Sequence, residues 1–368
     1  MKKIIIIVSC ILLSFSINLT FAQKETTKEI QQHSNLPENF NDEPRGKNGI
    51  RIVSYNVENL FDIKKDSIAH DEDFTPLGRN AWTYSKYHKK LLHISKVLIS
   101  IGGWEPPAII GLCEIENQFV LNELTQKTPL EKYHYKIIHE ESQDYRGIDV
   151  AMLYIPEKFK PITYKTIHIF YPFDTNSKAR GILYVKGIVL SKDTLHIFIN
   201  HWKSKWGGNL ATVQKRKYSA KVLRHSVDSL FAINIWSKII IMGDFNDSPE
   251  DDCMAKVLNA KPDTTGLKLT DLYNLMYEKV GDWKIGTNKF QGKWAILDQF
   301  IISTALFKHK KGLRMAPDKA HIFDAPFLLE KDERYSGTKP FRTLLGPKYQ
   351  GGFSDHLPVY VDLMYYNN

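Results

Sequence analysis

The chain has 368 residues, 43% of them hydrophobic, which is enough to bury one large core and excludes disorder throughout. Its formal net charge of +9 favours polyanionic partners, through attraction and counterion release. Three cysteines are too few for a disulfide-built scaffold.

Met1-Lys2-Lys3, an apolar stretch from Ile4 to about Leu19, and Thr20-Phe21-Ala22 read as a secretory signal peptide, residues 1–22, cleaved before Gln23. Ser14, Ser16 and Asn18 interrupt that stretch and argue against an uncleaved membrane span. Cleavage removes Lys2 and Lys3 and no acid, so the mature chain carries +7 and keeps only Cys113 and Cys253. Cys113 lies in an apolar run, which favours buried thiols over a disulfide. The expectation is an exported protein, periplasmic or extracellular, monomeric and without a stable membrane span. Residues 23–49 are polar and almost free of aliphatic side chains, so a tether is expected there, with one folded domain over 50–368.

The first expected strand, near 51–57, lies in Arg51-Ile-Val-Ser-Tyr-Asn56-Val-Glu-Asn59, where Asn56 interrupts an apolar run. It is either a structural amide or a ligand for an oxygen or a metal-bound water. A helix over about 84–101 follows, then a strand near 107–115 that contains Glu114. A carboxylate inside an apolar run is rare unless paired or coordinated, which makes Glu114 the best candidate ligand for a divalent metal. Glu116 is expected to cap the next helix, about 117–127, or to orient a neighbour. Arg146 and Asp149 open a strand near 148–155. The planar fork of Arg146 suits phosphate, and pairing with Asp149 is the plainer alternative.

Strands near 182–190 and 194–200 are separated by Ser191-Lys192-Asp193 and form an expected antiparallel hairpin. It ends in Asn200-His201-Trp202-Lys203-Ser204-Lys205, an imidazole beside cations. A helix over about 210–236 leads into Ile239-Ile-Ile-Met-Gly-Asp244-Phe-Asn246-Asp-Ser-Pro249, where an apolar strand near 238–243 ends in an acid and an amide two positions apart. Asp298 stands in the strand near 296–302, and Ser354-Asp355-His356 precedes the strand near 358–364. Asp298 suits holding an imidazole in one tautomer, with His356 as that imidazole. The stretch from about Lys308 to Tyr349 reads as basic and loop-like, either a specificity insertion or solvated surface.

Taken in order, S-Y-N-V-E-N, G-L-C-E-I-E-N, N-H-W-K-S, G-D-F-N-D-S-P, L-D-Q and S-D-H-L-P resemble the motifs of the endonuclease/exonuclease/phosphatase superfamily, over about residues 50–365. The resemblance implies an α/β fold, a four-layer sandwich of two mixed β-sheets flanked by helices. It also implies hydrolysis of phosphoester bonds with a divalent cation, usually Mg²⁺, with Mn²⁺ or Ca²⁺ as alternatives. Under it Glu114 binds the metal with Asn56 and Asp355 in support. Asp244 and Asn246 position the attacking water and the scissile phosphate. His356, oriented by Asp298, and His201 complete the catalytic set, and either Asp244 or His356 is the base.

Net charge and two aromatic-basic stretches, Trp202 to Trp206 and Trp283 to Trp294, favour a nucleic-acid substrate. Arg146, Lys203, Lys205 and Trp294 are the expected substrate contacts. A phosphorylated small molecule or lipid headgroup is the alternative substrate, and a noncatalytic phosphate-ligand binding protein is the alternative of a different class.

Overall fold

A run such as Ile239–Met242 has no polar face to offer water, so it folds as a strand covered on both sides. The computed structural model describes residues 36–366 apart from 39, 67, 68, 191 and 206. The expected signal peptide, most of the expected tether and Trp206 lie outside the described residues.

In chain order the strands are β1 (Gly49–Leu60), β2 (Ile109–Ile115), β3 (Lys136–His139), β4 (Asp149–Tyr154), β5 (Phe159–Ile167), β6 (Ile182–Val189) and β7 (Asp193–His201). There follow β8 (Ile239–Asp244), β9 (Ala260–Lys261), β10 (Leu272–Asn274), β11 (Asn288–Phe290), β12 (Lys293–Ala295) and β13 (Asp298–Ser303). The last are β14 (Gly312–Ile322), β15 (Leu329–Lys331), β16 (Thr338–Pro340), β17 (Leu344–Leu345), β18 (Lys348–Tyr349) and β19 (Val359–Tyr366). The longer helices are α1 (Tyr84–Gly102), α2 (Gln118–Gln126) and α3 (Asn209–Ile233).

Among the described residues one sheet runs β14-β19-β1-β2-β4-β3 and the other β5-β6-β7-β8-β13-β10-β9. Both are mixed: β1 pairs parallel with β2, and β7 with β8, while their outer neighbours run antiparallel. The pleat sends alternate side chains to opposite faces. Ile52, Ile109, Met152 and Val361 therefore meet Ile197, Ile199, Met242 and Phe300 between the sheets. On the outer face of the first sheet Val53, Tyr55, Ile110 and Leu112 pack against Leu91, Ile94 and Leu98 of α1. On the other outer face Phe198, Ile239, Ile241 and Ile301 pack against Ala220, Leu223 and Val227 of α3. The three- and four-residue spacing of these helix positions makes one apolar stripe. The order is helix, sheet, sheet, helix, the four layers that the resemblance implies.

Two short-range expectations resolve differently from one another. The β6–β7 hairpin forms, with Val189 opposite Asp193. About half of the stretch read as loop-like from Lys308 to Tyr349 is instead strand: β14 is the edge strand of the first sheet, and β15–β16 and β17–β18 are small hairpins. Pro317 and the left-handed Lys319, φ 59, sit where the β14 register shifts between Met315 and Ala320. That bulge breaks the period-two alternation by which a strand is read. The described part of the expected tether lies against the domain. Phe40 stacks edge-on to Phe323 and Tyr360, and Arg45 and Arg51 both bond the buried Asp362. Cys113 and Cys253 are buried free thiols.

Gly243 is required where β8 enters the site. Its φ is +133, and a Cβ there would stand 1.9 Å from the backbone oxygen of Asn200. Gly243→Ala is expected to destabilise the fold by roughly 3 kcal/mol or more, through backbone strain and separation of β7 from β8. Thermal unfolding of the variant checks this, and an unchanged midpoint would contradict it.

Candidate active site

Because β7 and β8 are parallel and β13 is antiparallel to β8, His201, Asp244 and Asp298 fall in one row across the second sheet. The parallel pair of the first sheet delivers Asn56 and Glu114 to the same end. Asn56 joins the two sheets, its amide donating to Asp244 Oδ2 at 3.0 Å, while its own oxygen accepts the Glu58 N–H at 3.0 Å. Beyond Asn56 the ladder breaks, with Glu58, Asn59 and Glu114 all in the left-handed region, φ 55, 53 and 66. Non-glycine residues held there mark a locally strained bulge of the kind that aims side chains at functional sites.

Glu114 accepts the Asn59 N–H on Oε2 at 2.9 Å, and its Oε1 lies 3.7 Å from His201 Nε2. That Oε1 accepts no hydrogen bond among the described residues. His201 is buried, its Nε2 also 3.6 Å from Asp244 Oδ2. One Arg180 Nη stands 2.7 Å from His201 Nδ1. Burial and the fields of Arg180 and Arg146 hold the His201 pKa well below the ordinary imidazole value, so it is neutral at pH 7.

His356 is the opposite case. Its Nδ1 bonds Asp298 Oδ2 at 2.6 Å, and its Nε2 lies 3.9 Å from Asp244 Oδ2. Burial opposes its charge, but Asp298 and Asp244 outweigh burial and raise its pKa well above the ordinary value. Asp298 is fully buried, and its Oδ1 has no hydrogen-bond partner among the described residues. Asp244 is pushed up to about 7 by burial and by Asp298, with His356 opposing. Two amides fix its carboxylate, as Asn246 donates its backbone N–H to Oδ1 at 2.9 Å and its side-chain amide to Oδ2 at 3.2 Å.

Asp355, in the loop before β19, accepts from Arg342 at 2.9 Å. Arg342 also bonds the buried Glu58, whose carboxylate takes the Thr343 and Leu344 N–H groups. Burial and Asp355 push Glu58 up to about 7. Glu58 carries the same signal as Glu114, a carboxylate in an apolar run, and belongs with it among the buried acids of the site. Arg342 and Arg180 sit in irregular segments with no periodicity, so no sequence signal marked them.

The other expected residues are distributed as follows. Arg146 pairs with Asp144 at 3.9 Å, whereas Asp149 pairs with His139 at 3.0 Å, so the alternative Arg146–Asp149 pair does not form. Lys203 is partly buried beside His201. Lys205 is engaged with Asp247 and Asp251, each at 3.2 Å. Trp294 is partly buried against the core with Lys289 over its ring at 5.7 Å, while Trp202 is wholly core. Trp283 and Phe290 are the aromatics of that region that remain exposed, at 80% and 72%. Glu116 accepts the Asp62 N–H at 2.6 Å, and Asn117 rather than Glu116 caps α2, taking the Val120 N–H.

Two oxygen-rich groups suit a cation. One is His139, Glu141 and Asp149. The other is Asp244, Asp298 and His356, whose ligand atoms lie within 4.8 Å of one another. In the second group the His356–Asp298 hydrogen bond already neutralises one carboxylate.

The sequence profile of the Endonuclease/Exonuclease/phosphatase family matches the chain over residues 51–365. The chain belongs to that family. It is a phosphoester hydrolase in a family that generally uses divalent metals. Solved structures share its fold. A humanised D. rerio TDP2 aligns with TM-score 0.52 and 14% identity, covering 86% of this chain and 98% of that one. A Bacteroides thetaiotaomicron member of the endonuclease/exonuclease/phosphatase family aligns with TM-score 0.51 and 14% identity, covering 86% and 95%. D. rerio TDP2 complexed with a single-strand DNA product aligns with TM-score 0.50 and 14% identity, covering 86% and 98%. No curated protein matches the chain by sequence. Among the described residues no helix is long and apolar enough to cross a membrane.

Proposed function

We propose that this family member is an exported, monomeric, divalent-metal-dependent nuclease that cleaves phosphodiester bonds of DNA or RNA by water attack. The observation that carries the reading is the meeting of Glu114, His201, Asp244, Asp298 and His356 at one end of two facing sheets. Asp244, held by Asn56 and Asn246, receives the proton of the attacking water, a role supported by a pKa near 7. His356 carries its own proton and so suits stabilising charge on the phosphoryl or leaving oxygen better than acting as the base. Neutral His201 offers a hydrogen bond to a phosphoryl oxygen. The oxygen of water bonds to phosphorus as the ester oxygen leaves and is protonated.

The residues fit a hard cation. Glu114 presents a carboxylate oxygen without a hydrogen bond, and Asp355 and the Asn56 carbonyl add oxygen donors. Few protein oxygens and several waters suit Mg²⁺, with Mn²⁺ or Ca²⁺ as alternatives. When bound, the ion would stabilise the charge that develops on the phosphoryl oxygens.

Nucleic acid is favoured over a phosphorylated small molecule or lipid headgroup by the positive charge and by exposed Trp283 and Phe290. The loop carrying them is tied to the His356 segment, Asn288 donating to the Asp355 carbonyl at 3.0 Å and Leu357 N–H to Thr287 at 2.7 Å. The D. rerio TDP2 structure with a single-strand DNA product points the same way. Mature protein should cleave plasmid DNA or RNA with Mg²⁺, Mn²⁺ or Ca²⁺ and lose that activity in EDTA. Release of phosphate only from phosphoinositides, sphingomyelin or sugar phosphates would overturn the nuclease assignment.

A further inference from the structure

We infer that the cation-lined cavity beside His201 is a second phosphate subsite, which takes the phosphate next to the scissile one on a nucleotide chain. The inference rests on the nuclease reading and adds where the chain's neighbouring phosphate is held. The cavity is lined by Asp144, Tyr171, Lys178, Arg180, His201 and Lys203. It is narrow, about 10 Å³, room for about one water. A base does not fit there, whereas one oxygen of a tetrahedral anion does.

Charge is unbalanced around this cavity. Arg180 is buried, and its guanidinium reaches Asp144 at 3.4 Å and the imidazole of His201 at 2.7 Å. Arg146 approaches the same Asp144 at 3.9 Å. Lys178 and Lys203 have no carboxylate partner among the described residues. Lys215, which does not line the cavity, is paired with Asp174 at 2.7 Å. On the catalytic side Glu114 and Asp244 lie 3.7 and 3.6 Å from His201 Nε2. The four cations Arg146, Lys178, Arg180 and Lys203 thus share one carboxylate, Asp144.

Cations gathered without counter-charge repel one another unless an anion joins them. Burial and the fields of Arg180, Arg146 and Lys215 lower the Lys203 pKa, and only Asp144 opposes them strongly. The Tyr171 hydroxyl adds a neutral polar group to the wall. Arg and Lys donors converging on a partly dry cavity bind phosphate by charge-assisted hydrogen bonds. The cavity adjoins the reaction centre, because His201 forms part of its wall and its Nε2 lies 3.6 Å from Asp244.

Calorimetry in EDTA tests this without turnover, since the subsite's own cations remain. Adenosine 3′,5′-bisphosphate should bind the mature protein about tenfold more tightly than adenosine 5′-monophosphate. In K178A/K203A that ratio should fall to about one. Lys178 is exposed, so K178A alone keeps the fold and should lower the ratio at least about threefold if the double variant is unstable. A wild-type ratio near one, or a ratio that survives the substitutions, overturns the subsite. Plasmid and RNA cleavage test the nuclease reading separately, so each can fail alone.

Discussion

Glu114→Ala is expected to lower metal-stimulated hydrolysis by on the order of 10³-fold or more, with little loss of fold. Glu114 combines partial exposure, 13% of its side chain, with an oxygen that accepts no hydrogen bond among the described residues. Its strand end is displaced by the left-handed Glu114 backbone, so the group is aimed at His201 rather than into the core. The lost Asn59 N–H contact costs about 1 kcal/mol, too little to unfold the domain. Two measurements check this together: initial rates across Mg²⁺ concentration, and the rise in unfolding temperature that Mg²⁺ or Mn²⁺ gives the wild type. Retained metal-stimulated turnover in the variant would remove Glu114 from the metal site.

The second large effect is expected for Asp298→Asn. The substitution keeps the shape of a fully buried side chain, but it removes the anion that bonds His356 Nδ1 at 2.6 Å and does most to keep that imidazole charged. A fall in kcat of roughly 10²–10⁴-fold is expected from losing an oriented, charged acid/base group. The sign of the pH effect follows from linkage. With the anion gone the folded-state pKa of His356 drops, so its protonated form survives only to lower pH, and the alkaline limb of the pH–rate profile moves to lower pH. Profiles of wild type and variant between pH 5 and 9 decide the matter, and superimposable profiles would show that Asp298 does not tune His356.

Much of this architecture is legible along the chain. Ile239–Met242 has to be a doubly covered strand, and a carboxylate at its end has to face something other than lipid-like core. The same holds for Glu114 after its apolar run. The edge strand β14 was not legible, because Pro317 and the bulge at Lys319 erase its alternation. Trp202 reads as a base-stacking side chain beside two lysines, yet it is core, its indole N–H spent on Asn200 Oδ1 at 3.1 Å. One-dimensional neighbours do not say which face of the last strand residue a side chain takes.

By itself the sequence determined eight of the strands, β1, β2, β4, β6, β7, β8, β13 and β19, the three longer helices, the run of acids, amides and histidines at strand ends, and the family they belong to. Only the tertiary structure decided which of those groups touch. It set Asn56 across the gap between the sheets onto Asp244, made His201 neutral and His356 cationic, and brought Arg180 and Arg342 in from irregular segments. The physical reason is that hydrophobic alternation is a local property readable at a period of two or 3.6. Protonation state and charge pairing depend instead on burial and on partners far apart in the chain, such as Asp298 and His356.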